Sequence, residues 1–151
     1  SVAALAIPSF ASPTESFVTP VSKAAGTSIT VAYDQKYDVA DSSLTTVACS
    51  DGANGLITKG YKTFGSVPGF PNIGGAPTVA GWNSSNCGKC YELNYENGDF
   101  KGSIYVTAVD SASPGAFNIG LHAMDKLTNG QAVQFGRVTA TYTEVEEKFC
   151  A

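Results

Sequence analysis

Positive charge is scarce in this sequence and nowhere gathered: nine Lys and Arg stand against thirteen Asp and Glu, for a formal net charge of −4. Nucleic acids and anionic membranes are bound by concentrated positive charge, so neither is expected as a partner. Histidine is nearly absent. His122 stands alone, and no second C-x-x-C follows Cys87-Gly88-Lys89-Cys90, so the spacing suits no common zinc site. Phosphate-cradling G-x-G-x-x-G and P-loop patterns are missing, as are H-E-x-x-H and G-x-S-x-G. No cofactor and no metal are expected. The most apolar stretch, Ser1 to Ala11, is far too short to span a bilayer.

What the chain does have is four cysteines, Cys49, Cys87, Cys90 and Cys150, together with 16 Gly and 7 Pro. An even count in a short, turn-rich chain points to two disulfides and an oxidising, extracellular setting. Spacing alone does not choose among the three pairings. A redox C-x-x-C or half of a metal site are the competing readings of Cys87 and Cys90, and structural bridges outweigh both.

The length suits one domain with a leader. Residues 1–11 resemble the back end of a secretory signal, because Ala4/Ala6 and Ser9/Ala11 each meet the small-residue cleavage rule. A disordered tail is the alternative. Ser12 to Gly26, rich in Ser, Thr and Pro, has too little apolar content to fold. The chain therefore divides into a leader, 1–26, and a folded domain, 27–151.

In that domain Ile29 to Tyr33 is β-rich and Tyr91 to Tyr95 alternates apolar and polar residues. Asn97-Gly98 is a hairpin signal leading into a strand over Gly102–Asp110. Further strands are expected over Arg137–Tyr142 and, as a short strand or turn, Val145–Phe149. Leu121 to Leu127 has helical spacing and stops at Asn129-Gly130. Gly65 to Gly81, dense in Gly and Pro, reads as an ordered irregular loop. Short strands, many turns and little helix predict a barrel or a sandwich.

Several motifs then narrow the choice: Ala48-Cys49-Ser50-Asp51-Gly52-Ala53-Asn54-Gly55-Leu56, Phe70-Pro71-Asn72-Ile73-Gly74-Gly75, Ala80-Gly81-Trp82-Asn83, the C-x-x-C, and Val109-Asp110 with Gly115-Ala116-Phe117-Asn118. In this order they resemble the cerato-platanin family of small secreted fungal proteins, nearly without a break from Ile29 to Cys150. The resemblance implies a mainly β fold, a six-stranded double-psi β-barrel with one or two short helices. It also implies disulfides Cys49–Cys87 and Cys90–Cys150. By function it implies binding of chitin or N-acetylglucosamine oligomers, loosening of polysaccharide networks without evident hydrolysis, and elicitor or allergen activity. Fold alone does not settle function.

Ordinary glycoside hydrolysis needs two carboxylates. Barrel enzymes that the chain resembles carry one of theirs where Asn118 stands, and an amide is neither acid nor base at ordinary pH. Asp110 remains at the other position, so the reading is binding without catalysis. The alternatives are a weak polysaccharide-active enzyme, or a surface-active or host-receptor interaction protein.

The expected carbohydrate contacts are Asp110, Asn118, Tyr33, Asp34, Asp51 and Asn54. Each has a plainer role. Asp110 can end a strand in a turn; Asn118 can cap the following helix; Asp51 and Asn54 can build a Gly-punctuated turn. Trp82, the sole tryptophan, is expected in the core rather than on a binding platform. Tyr61 and Phe64 fit either role, and His122 is given none. Asn83-Ser84-Ser85 meets the glycosylation pattern at Asn83. The expected protein is a secreted, extracellular or wall-associated monomer, with cell-wall oligosaccharides and host receptors as its partners.

Overall fold

The computed structural model describes residues 26–151, so the expected leader lies outside the described residues apart from Gly26. Six strands close into a barrel: β1 (Thr27–Tyr33), β2 (Ile73–Ala76), β3 (Cys90–Asn97), β4 (Phe100–Ser111), β5 (Ala116–Ile119) and β6 (Arg137–Val145). Around the barrel their order is β1-β5-β2-β4-β3-β6. Two pairs are parallel, β1 with β5 and β2 with β4. The other four neighbour pairs are antiparallel, including the β3–β4 hairpin that turns at Asn97-Gly98. Closure leaves no open sheet edge to template further pairing. Cys49–Cys87 and Cys90–Cys150 are both bonded, as the family resemblance implies, and no free cysteine stands among the described residues.

Strand alternation sets the core. Val31, Leu93, Phe117, Ile119 and Val138 point inward and are buried. Tyr91, Phe117 and Tyr142 meet edge to face, with ring centroids 5.2 to 5.9 Å apart. Such aromatic contacts add specificity beyond the area they bury.

Two strands differ from the sequence expectation. The Gly65–Gly81 stretch is not all loop, because β2 runs through it between β4 and β5. Its glycines look like turn signals, but they serve close approach. A Cβ on Gly74 would lie 2.3 Å from the Asn118 carbonyl oxygen and 2.7 Å from the Ile119 Cα, so only glycine lets β5 pair there. The second unexpected strand is β5, which places Asn118 inside a ladder rather than at a helix start.

The capping role of Asn118 is thereby corrected. Helix α1 (Leu121–Thr128) has Gly120 at its N-cap position. Its first amides are instead satisfied from far along the chain. Leu121 and His122 donate to the Asp38 carboxylate at 2.8 and 3.2 Å. His122, expected to be alone, also places Nδ1 3.0 Å from Asp38 Oδ1. Asn129, in the left-handed region at φ 60, ends the helix. A second, short helix α2 spans Ala132–Phe135. Val145 ends β6, and Glu147–Cys150 forms a 3-10 turn that carries Cys150 to its bridge.

Candidate functional site

Ladder register brings polar and small residues into one outward row. Arg137 pairs with Ala32, Ala32 with Asn118, Asn118 with Gly75 and Gly75 with Asp110. The row crosses β6, β1, β5, β2 and β4, whose neighbours lie about 4.8 Å apart. Guanidinium, amide and carboxylate are thus separated by Ala and Gly, which leave the sheet surface low between them. Beside it lies a groove of about 330 Å³ lined by Ala32, Tyr33, Ala112, Ser113, Asn118 and Arg137. Arg137 is held by a 2.8 Å bond from Nη1 to Thr30 Oγ1. Sequence reasoning missed Arg137, since a basic residue opening a strand carries no local signal of a groove.

Asp110 lies at the far end of the row with most of its acceptor capacity used. Oδ1 accepts from the Ala48 and Ser111 amides at 3.0 and 2.9 Å, and Oδ2 accepts from the Tyr37 hydroxyl at 2.8 Å. Lys36 Nζ stands 3.9 Å away. A carboxylate offers about four lone-pair sites, so three are spent inside the protein. Asp110 is more than a strand-end turn residue: it ties β4 to the 35–38 turn and to the segment before Cys49.

Tyr37 is buried in that arrangement. Burial first, and then the charge and hydrogen bond of Asp110, push its phenol well above the ordinary tyrosine range. The folded state therefore favours neutral Tyr37 more than the unfolded chain does. The stability this contributes is fully present below about pH 10 and is lost as pH climbs past it. Tyr91 is also raised, chiefly by burial. In a spectrophotometric titration we expect Tyr37 to ionise only as the protein unfolds in alkali. Tyr37→Phe should remove that late step. If the late-ionising class is unchanged in that variant, Tyr37 is not the shielded group.

Asp34, expected beside the groove, caps the 35–38 turn by accepting from the Lys36 amide at 2.9 Å. Its charge also reaches Tyr37. Tyr33 and Asn118 are brought together; Asp34 and Asp110 stand about Tyr37.

Asp51 and Asn54 belong to a different place. Asp51 Oδ1 accepts from Trp82 Nε1 at 2.6 Å. That bond, first among the causes, holds the Asp51 carboxyl below the ordinary range. Asn54 donates from its amide to Asn83 Oδ1 and from Nδ2 to the Asn83 carbonyl, both at 3.0 Å. Trp82 is not in the core as expected: it is 63% exposed, with its N–H on a surface carboxylate. Phe64 is buried and Tyr61 half-buried. Asn83, the expected glycosylation position, has its carboxamide oxygen engaged by Asn54 and a φ of 61.

A family model described as Cerato-platanin matches residues 29–151. The chain is 59% identical over 123 residues to "Allergen Asp f 15" of Aspergillus fumigatus, covering 82% of this chain and 77% of that protein. Among solved structures, cerato-platanin 1 from M. perniciosa is similar with a TM-score of 0.78 at 45% identity, over 82% of this chain and 99% of that one. The solution structure of the fungal elicitor Cerato-Platanin has a TM-score of 0.71 at 41% identity, over 81% of this chain and 96% of that one.

Proposed function

The chain belongs to the cerato-platanin family, and from that premise we propose that it is a secreted protein that binds chitin, N-acetylglucosamine oligomers or a related wall glycan without cutting them. The observation that carries this reading is the row Arg137–Ala32–Asn118–Gly75–Asp110 beside the Tyr33 groove. Sugar hydroxyls and acetamides need donors and acceptors spread over a shallow surface, and a charged partner strengthens such bonds about twofold. Arg137 and Asn118 supply both kinds, and Asp110 orders the end of the row. Hydrolysis would require a second carboxylate beside Asp110 in the row. That position holds an amide, and Asp110 itself is bonded to Tyr37 and Ala48.

Two disulfides in so small a domain support secretion. Perception by a host is a second role. It is favoured by the relatives named as an allergen and as an elicitor.

Calorimetric titration with N-acetylated chitohexaose tests the groove. Asn118→Ala and Arg137→Ala are each expected to weaken binding about tenfold, ~1.4 kcal/mol, with unchanged circular dichroism. Asn118→Asp restores a carboxylate, yet no new reducing ends are expected from chitin, because reacting groups must also be aligned with the scissile bond. Parental affinity in both alanine variants would place the binding site elsewhere. Released reducing ends would favour the enzyme reading.

A further inference from the structure

We propose that Trp82 is a stacking platform for one pyranose ring of a β-linked neutral glycan, a subsite separate from the Asn118 groove. The inference rests on the glycan-binding reading above and deepens it. A lone exposed apolar side chain is ordinary on any protein surface. Trp82 differs in being exposed and held still at once. Its Nε1 donates to Asp51 Oδ1 at 2.6 Å. The turn after it is tied by two bonds from Asn54 to Asn83. Thr58 Oγ1 donates at 2.6 Å to the Gly52 carbonyl and so steadies the opposing turn. The buried bridge Cys49–Cys87 joins the two segments at their base.

Gly52 completes the clamp. It sits at φ +82, and a Cβ there would come within 3.0 Å of Trp82 Cζ2 and 2.6 Å of Asn83 Oδ1. Any other residue would therefore push Asn83 aside and crowd the indole. Fixing the ring in advance removes ordering cost from whatever binds it, which is how preorganised sites gain affinity.

The occupant follows from the rim. No other exposed large hydrophobic lies in the two segments that hold Trp82, so these segments offer one ring and not a contiguous apolar patch of the kind that marks protein docking. One apolar face is instead edged by the carboxylate of Asp51 and the amides of Asn54 and Asn83. A pyranose matches this pattern, with C–H groups on its face and hydroxyls around its edge. The platform is also joined to the row already described. Ala48 is bonded to Asp110 and Asp51 to Trp82, so one four-residue segment of chain links them.

Trp82 is the only tryptophan, so its emission reports this site alone. Chitohexaose and cellohexaose are titrated into the full chain by fluorescence and by calorimetry. We expect a saturable emission change with the calorimetric midpoint for the oligosaccharide that binds. Trp82→Ala should weaken binding about tenfold, ~1.4 kcal/mol, while Trp82→Phe, which keeps a ring without the N–H, should lose less than about threefold. Circular dichroism checks folding, and the Phe variant keeps the test decisive if the Ala variant misfolds. Calorimetric binding with unchanged emission and parental affinity in the Trp82 variants would overturn the platform while leaving the groove intact. Loss of affinity in the Trp82 variants but not in the Asn118 and Arg137 variants would support the platform and overturn the groove. No binding of either oligosaccharide would overturn both.

Discussion

Replacing Cys90 and Cys150 together by serine is expected to cost about 4 kcal/mol, the entropy that a bridge across 60 residues removes from the unfolded chain. The Cys49/Cys87 pair, 38 residues apart, should cost nearly as much on the same logarithmic scale. Small domains have roughly 5–15 kcal/mol in total. Either double variant should therefore be marginal, and the quadruple variant should not fold. For a domain of this size the single-bridge losses correspond to about 15 °C in melting temperature, read by circular dichroism with and without reductant. The two bridges should differ in one readout. Cys90–Cys150 holds the last 3-10 turn against β3, whereas Cys49–Cys87 underlies the Trp82 clamp. Loss of the second alone should shift tryptophan emission under conditions where the chain is still folded. A fall of only a few degrees in either variant would mean that the closed barrel, and not its bridges, carries the stability.

Four of the six strands were legible from pattern, because β1, β3, β4 and β6 are long enough to alternate or are announced by a hairpin turn. The other two are four residues each. In β2 the pair Gly74-Gly75 imitates a loop, although the Cβ is missing there to admit the Asn118 backbone. In β5, Ala116, Phe117 and Ile119 are all buried around Asn118, which hides the two-residue period. Barrel closure is likewise invisible to periodicity, since it depends on the pairing of β1 with β5 and β6 across the whole chain. It entered through the family resemblance instead.

The site was less legible than the fold, and for one physical reason: its groups are organised by partners far away in sequence. Asp38 meets His122 across 84 positions and Asp110 meets Tyr37 across 73. Trp82 meets Asp51, 31 residues earlier. Hydrophobicity alone sends an isolated tryptophan to the core, whereas here the indole lies at the surface with its N–H on Asp51. Arg137 joins the row purely by register.

Asp110→Ala is expected to destabilise the fold by about 2–4 kcal/mol, because it strips acceptors from a phenol and two amides at once. The Tyr37 side chain is buried, 1% exposed, so its hydroxyl has no ready access to water. Asp110→Asn should cost no more than about 1 kcal/mol. The amide oxygen still accepts from Ala48 and Ser111, the amide nitrogen faces Tyr37, and a hydroxyl can turn to accept as well as donate. What that variant loses is the charge opposite Lys36, and an exposed lysine 3.9 Å away contributes little. Denaturant midpoints separate the two outcomes, and tyrosine titration adds a second readout, since the charge that helps to raise Tyr37 is gone in both variants. Glycan affinity then assigns the role. If Asp110 acts by ordering the row, the Asn variant binds chitohexaose like the parent. If its remaining lone pair meets a sugar hydroxyl, the Asn variant keeps its stability and loses affinity, because the charge-assisted bond is about twice as strong as the neutral one that replaces it.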